Sequence, residues 1–307
     1  MGPHFVLNIC KEPGMTSYDV IRIIKRKLPN RKIKIGHLGT LDPFASGVLL
    51  VALGTANRLS QYIHEYLPKE YLASGKLGQK MDTGDLTGSI SEERKVCTKD
   101  IKNDWQGEIE NKMTGAYWQV PPAVSATKHK GKPLYKWARE GIHIKKEPVL
   151  RNIYELSSLN SDFPSIKFRT RVSSGTYIRT MFEDIATDLG SIGHLTKLHR
   201  SKIGEIESRN GISIEDLKMM SWEELVDTGI SLNRALPLNK LVLSSEKSIW
   251  YENGRAVQLE DGAIESNDEG DVVADGLIWV SDANKNLLGL AQLDGSTVAP
   301  CVNIPSD

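Results

Sequence analysis

The chain has 307 residues, enough for two domains and at least one full hydrophobic core, and its 39% apolar and 25% charged residues exclude a disordered polymer. Its 39 basic and 39 acidic side chains cancel, yet from residue 241 onward three basic residues (Lys247, Arg255, Lys285) stand against 12 acidic ones. An acidic end of net −9 therefore follows a body of net +9, and that asymmetry suggests a polyanion contacting the body.

In chain order, Thr16 or Ser17 can cap a helix in which Val20, Ile21, Ile24 and Leu28 recur at helical spacing, with Asp19 in the first turn and Pro29-Asn30 as the stop. Strand-like runs follow at Gly47–Leu53 and Glu70–Leu77. After a long mixed region, Ile166–Val172 alternates strictly and feeds the turn Ser173-Ser174-Gly175. A helix is predicted from about Thr176 to Leu189, closed by Gly190. Near the end, Leu277–Val280 and Leu287–Leu293 read as strands joined by a hairpin loop at residues 282–286. Strands and helices mix without a regular βαβ rhythm, so the expected class is α+β, with a small β domain over about 241–307 after a body of 1–240.

The longest apolar run, Val48–Leu53, is far short of the roughly 20 residues that cross a bilayer, and no basic stretch followed by an apolar one opens the chain. Cys10, Cys97 and Cys301 are odd in number and form no C-x-x-C pair, so neither a disulfide framework nor a Cys-rich metal site is expected. A reducing cytoplasm is the expected compartment.

The segment Gly36-His37-Leu38-Gly39-Thr40-Leu41-Asp42-Pro43-Phe44-Ala45-Ser46-Gly47 sets a titratable pair, His37 and Asp42, among glycines that permit tight backbone and close approach of a ligand. Spacing alone reads Asp42-Pro43 more simply as a helix start, the carboxylate capping and proline in the first turn. By the same token His37 is an ordinary polar side chain, and nothing in spacing makes Asp42 a nucleophile.

That segment, continued by Gly54-Thr55-Ala56, resembles the signature of the TruB family of tRNA pseudouridine synthases. Lys11–Ser17 is similar to the family's first motif, and Lys69-Glu70-Tyr71 with Leu77-Gly78 and Asp82-Thr83-x-Asp85 to its second. Ser174–Thr180 is similar to its third, and Gln119-x-Pro121-Pro122, Ser125-Ala126-x-Lys128 and Tyr135-x-x-Ala138-Arg139 resemble its RNA-gripping insertion, about 119–151. The resemblance spans about residues 7–205 in the family's order. It implies a mixed, largely antiparallel sheet flanked by helices, with a small PUA-like domain at the C-terminal end.

The implied activity is isomerisation of the T-loop uridine (position 55) of tRNA, with no metal and no cofactor. Asp42 is implied as the nucleophile, attacking ribose or base. A nucleophilic carboxylate must stay ionised, so a cation is expected beside it, and Arg179 of the third motif fits. Without the motif, Arg179 would read as an exposed helix residue. Tyr71 is implied to stack on the extruded uracil, Tyr177 to add a second aromatic contact, His37 to sit near the displaced nucleotide and Leu198 to line the pocket. From residue type alone, Tyr71 is half-buried strand and Leu198 is core.

Lys128, Lys130, Lys132, Lys136 and Arg139, with Tyr135 and Trp137 interleaved, make the insertion a candidate phosphate clamp, where a merely solvated loop is the plainer reading. The expected partner is the T arm of tRNA, with no membrane and no obligate protein partner. Met81, Asn57 and Val124 depart from the family pattern; Val124 stands where a tyrosine is often seen, which implies a weaker RNA grip or looser substrate choice. A guide-RNA-dependent subunit is disfavoured by length, and a binding module without chemistry by the joint presence of Asp42, Tyr71 and Arg179. A glycoside hydrolase would need a second acid that no persuasive position supplies. The acidic C-terminal region is expected to touch RNA little.

Overall fold

The first strand, β1 (Phe5–Lys11), alternates between two cores: Phe5, Leu7 and Ile9 enter one and Val6 the other. The computed structural model describes residues 4–97, 101, 103–125, 128–142, 144, 146–259, 264–265 and 276–305. Helix α1 (Ser17–Lys25) begins in a capping box, Thr16 Oγ1 accepting from the Asp19 N–H and the Asp19 carboxylate from the Thr16 N–H. It ends at Lys25 rather than running on to Pro29; the Lys27 N–H closes a tighter turn onto the Ile24 carbonyl at 2.9 Å.

Strand β2 (Ile35–His37) pairs with β3 (Ser46–Leu53), and the loop between them carries Asp42. The apolar run of β3 divides as β1 does, Leu49, Val51 and Leu53 facing one core and Val48, Leu50 and Ala52 the other. A strand buried on both faces needs no polar alternation, which is why this stretch reads as a continuous hydrophobic run.

Helix α2 (Ser60–Tyr66) leads to β4 (Lys69–Leu77), then to a small hairpin of β5 (Gln79–Met81) and β6 (Ile90–Glu93). Helix α3 (Trp105–Met113) and strand β7 (Gly115–Gln119) precede the insertion, in which β8 (Lys128–His129), β9 (Lys132–Pro133) and α4 (Leu134–Arg139) form. Strand β10 (Val149–Asp162) returns to pair with β7, so the insertion is one long excursion between the edge strand β7 and its neighbour. Next come β11 (Ser165–Val172), α5 (Ile178–Asp188), β12 (Gly193–Ile203) and β13 (Ile206–Glu207).

Among the described residues these strands form one sheet in the order β1-β3-β12-β4-β11-β10-β7, with β2 on β3 and β13 on β12. Every pair is antiparallel except β12 with β3. The predicted α+β class is what forms. Helix α5 lies unusually close to the sheet because two glycines face Phe182: a Cβ on Gly75 would fall 2.2 Å from its ring and one on Gly193 2.8 Å. That approach carries Arg179, one turn before Phe182 on the same helix face, down toward the loop of Asp42.

After α6 (Ile214–Met219), α7 (Trp222–Asp227) and α8 (Leu232–Ala235), a second sheet is built from β14 (Lys240–Val242), β15 (Val257–Gln258), β16 (Ile264–Glu265), β17 (Leu277–Ser281), β18 (Leu287–Asp294) and β19 (Thr297–Asn303), with α9 (Ser245–Glu252) against it. Its order is β15-β19-β18-β17-β14-β16. This sheet is not loosely tethered. Trp279, Leu290 and Val302 pack with Val48, Leu50 and Ala56 of the body, and the Trp279 indole N–H donates to the Leu236 carbonyl at 2.7 Å. Among the described residues no helix is long and apolar enough to cross a membrane.

Candidate active site around Asp42 and Arg179

The loop from Leu38 to Ala45 is held by three side chains from three different elements. Ser17, at the start of α1, uses one hydroxyl twice, donating to the Leu41 carbonyl and accepting from the Leu41 N–H, both at 3.0 Å. Lys11, at the end of β1, sends its buried ammonium to the carbonyls of Glu12 (2.9 Å), Met15 (2.8 Å) and Pro43 (3.3 Å). Burial pushes that ammonium down to about 8, against the opposing pull of Asp42. Arg200, on β12 and 1% exposed, donates to the carbonyls of Val48 (2.8 Å), Thr40 (3.2 Å) and Gly39 (3.1 Å). At Gly47, φ is +105° and a Cβ would fall 2.1 Å from the Arg200 carbonyl, so only glycine lets β3 and β12 meet there.

Asp42-Pro43 does not start a helix. The Ala45 N–H closes a turn onto the Asp42 carbonyl at 3.1 Å and the chain passes straight into β3, leaving the carboxylate free of a capping duty. Its side chain stays 35% exposed, while Arg179, beside it, is almost wholly buried at 3%. The reading of Arg179 as an exposed helix residue is therefore overturned. Its Nε lies 2.9 Å from Asp42 Oδ2, with the N–H not aimed at the oxygen, so the attraction is between charges rather than a directed hydrogen bond. Nη1 donates to the Thr83 carbonyl at 2.5 Å and lies 3.8 Å from Asp85 Oδ2, while Nη2 donates to the Val124 carbonyl at 3.0 Å. Asp85 is in turn oriented by Thr87, whose N–H (2.9 Å) and hydroxyl (2.5 Å) both reach Oδ1. The guanidinium thus meets an acceptor on each side, a task for a planar fork and not for a point charge.

Tyr71 and Leu198 lie close by in the sheet. Tyr71 on β4 registers opposite Arg200, and Leu198 on β12 opposite Ala73; both share a hydrophobic cluster with Leu41 and Phe44 of the loop. His37 ends β2, where burial and then Arg200 keep its imidazole below the ordinary range, and its Nδ1 is buried without a hydrogen-bond partner among the described residues. Tyr177 stands at the N-cap of α5. Its N–H donates to the Gln119 side-chain oxygen (2.7 Å) and its carbonyl accepts from the Gln119 amide (3.0 Å), which ties the base of the insertion to the helix that carries Arg179.

The insertion is less uniform than its composition. Lys130 and Lys136 are exposed, but Lys132 turns inward, paired with Glu140 and 4.3 Å from the centre of the Trp137 ring. The side chains of Lys128 and Arg139 lie outside the described residues. Asn57 has a structural use: its side-chain amide donates to the carbonyls of Lys34, Ala52 and Gly54 and abuts Gly36. Val124 contributes the carbonyl that holds Arg179, which any residue can supply. Among the described residues no cluster of three or more His, Cys, Asp or Glu could hold a metal.

Residue type and spacing do not single out Arg200, and they mark Lys11, Lys69 and Asp85 only as parts of the motifs. Arg200 left one signal, a charge two residues after Leu198 on the same strand face, where alternation calls for an apolar side chain.

Residues 25–178 match the TruB family pseudouridylate synthase (N terminal domain), a stretch that runs from the end of α1 to the first residue of α5. The chain is 37% identical over 280 residues to the tRNA pseudouridine synthase B of Geotalea uraniireducens (strain Rf4), covering 88% of this chain and 86% of that one. It is 38% identical over 268 residues to that of Syntrophomonas wolfei subsp. wolfei, covering 83% and 85%. The chain belongs to the TruB family of pseudouridylate synthases. It is a pseudouridine synthase, as the motifs had implied. Its fold is also that of a protein solved in a Cbf5-Nop10-Gar1 complex (TM-score 0.69, 24% identity, 98% of this chain and 84% of that one). A second solved structure, an H/ACA RNP bound to a substrate RNA containing 2'-deoxyuridine, gives a TM-score of 0.68 at 23% identity, covering 98% and 85%. Both extend through the second sheet, consistent with a PUA-like unit in this TruB-family chain.

Proposed function

We propose that this chain converts the T-loop uridine of tRNA (position 55) to pseudouridine, with Asp42 as the nucleophile. The observation that carries this reading is the ionised pair at the loop: a half-exposed carboxylate, free of capping, beside a buried guanidinium fixed from three other directions. The rearrangement breaks the bond from C1′ to N1, forms one from C1′ to C5, moves a proton from C5 to N1 and changes no oxidation state. Asp42 can carry the detached fragment, whether it attacks ribose or base, and Arg179 holds the carboxylate in position. The nearly buried Tyr71 ring would take the face of the extruded base, with Leu198 beside it and His37 and Tyr177 at the margins, returning roughly 1–3 kcal/mol of the unstacking energy per stacked base.

On this reading the catalytic body is 1–240 and the second sheet, 241–307, is an auxiliary unit. Lys130 and Lys136 of the insertion, joined by Lys128 and Arg139, meet phosphates, while Lys132 acts in shaping the insertion. The enzyme needs no metal, cofactor or protein partner and works in the cytoplasm on the T arm. Unmodified tRNA transcript incubated with the chain, then mapped by a chemical-adduct primer-extension stop, tests the reading against Asp42→Asn. A new stop in the T loop that vanishes with the variant is the expected result; a stop that persists with Asp42→Asn would refute the nucleophile, and none with the native chain would refute the activity.

A further inference from the structure

Beside the catalytic loop, on its Gly39 side, lies a basic cluster that the reaction just described does not use. Lys69, the first residue of β4, is 3% exposed, and its ammonium donates to Ser174 Oγ at 2.7 Å. Its charged neighbour is another cation, Arg200, and no carboxylate balances it among the described residues. Ser174 Oγ also lies 2.5 Å from His64 Nδ1. With Lys69 donating to the oxygen, the hydroxyl hydrogen goes to Nδ1, and the proton of the neutral ring is left on Nε2. That Nε2 sits at the loop: a Cβ on Gly39 would come within 3.7 Å of it and within 3.8 Å of Lys69 Cε.

In front of Ser174 an open recess of about 580 Å³ is lined by His64, Arg151, Asn152 and Ser173, with Glu65 as its carboxylate. Arg151 makes no ion pair among the described residues. A buried, unbalanced ammonium behind an imidazole and a guanidinium with no ion pair among the described residues suits the recess to an anion; Ser174, whose one hydrogen goes to His64 Nδ1, passes on the ammonium's charge rather than donating to the ligand. Its position limits which one. Lys69 shares a face of β4 with Tyr71, two residues on, and Ser174 precedes the helix of Arg179 by one turn of loop, so the elements that present the reacting nucleotide also present the recess.

We propose that Ser174, His64 and Arg151, backed by Lys69, form a subsite for one backbone phosphodiester of the RNA substrate, adjacent to the nucleotide that reacts. The inference rests on the proposed function. Its test uses T-arm RNA in which one phosphodiester at a time is replaced by an uncharged methylphosphonate, bound to the full chain and to Ser174→Ala, Arg151→Gln and Lys69→Met. With the native chain, one position flanking the target uridine should weaken binding by about tenfold, and in each variant the same replacement should matter by less than about twofold. Arg151→Gln should also lower the slope of log affinity against log salt by roughly 0.7–0.9. The Ser174 and Arg151 changes line an open recess, so they report even where Lys69→Met fails to fold. Variants that respond to every replacement as the native chain does would overturn the subsite. Inorganic phosphate that shifts the His64 imidazole resonance, with no coupling to any RNA position, would make it a free-anion site and overturn the RNA assignment. Failure of the native chain to form pseudouridine strikes the proposed function instead.

Discussion

Replacing Arg179 by Met and by Lys separates what its charge does from what its shape does. Met removes the cation from between Asp85, which is nearly buried, and two carbonyls that lose their donors. Stranding a buried charge in this way costs about 3–5 kcal/mol, a large share of the roughly 5–15 kcal/mol that holds a domain together. The Asp42 side of the pair adds little to that figure, because a carboxylate 35% exposed is screened by water. Lys restores a charge, but one ammonium cannot span from Asp42 to the Thr83 and Val124 carbonyls on opposite sides of the guanidinium. At least one buried acceptor then goes unpaired, for a loss of about 1–3 kcal/mol. Urea unfolding should therefore rank native, Lys and Met in falling order of midpoint. Single-turnover pseudouridine formation should fall by about 10²–10³ even in the Lys variant, since a displaced cation no longer orients the Asp42 carboxylate proposed as nucleophile. A Lys variant with native turnover would refute the argument from the fork, and a Met variant with a native midpoint would refute the buried network.

Gly75→Ala should destabilise by about 1–3 kcal/mol, because its Cβ falls within the Phe182 ring, and Phe182→Leu should recover part of that loss; additive effects in urea unfolding would remove the close approach as the cause. Tyr71→Ala should weaken both RNA binding and turnover while opening a cavity worth about 3–5 kcal/mol, whereas Tyr71→Phe should keep the stack; equal RNA affinities for the two would take stacking out of the account. Lys69 is pushed down to about 7 by burial and then by Arg200. Below that pH both folded and unfolded chains carry the proton and the folded chain bears the whole burial penalty; above it the folded chain sheds a proton that the unfolded one keeps up to about 10.5. Stability should thus rise from about pH 7 toward pH 10, and the rise should be shallower in Lys69→Met by urea midpoints; identical slopes would contradict the assignment.

What the residues announce and what they withhold divide along a physical line. Val48–Leu53 advertises a strand buried on both sides, and Ser165–Val172 one buried on a single side, because the two periodicities are local properties. The capping box of Thr16 and Asp19 is equally local, which is why the start of α1 was legible and its end was not: the helix stops at Lys25 with no proline or glycine there to mark it. Asp42-Pro43 shows the reverse failure. Locally it favours a helix start, and three distant side chains, Ser17, Lys11 and Arg200, hold it as a turn instead. Partners up to 161 residues apart leave no trace in spacing. The motif resemblance succeeded where spacing failed because it carried that tertiary information implicitly, naming Asp42 and Arg179 as one site although they meet only when α5 settles over Gly75 and Gly193. It could not name Ser174 and His64 as a unit with Lys69, since their connection depends on a hydroxyl, a ring orientation and an unbalanced charge, and only coordinates show those together. Buried Arg200 belongs to the same class: an isolated charge on a strand looks like solvent exposure until the carbonyls it satisfies are seen, and a loop that holds the Asp42 carboxylate in a polar, half-open mouth needs such a charge from behind.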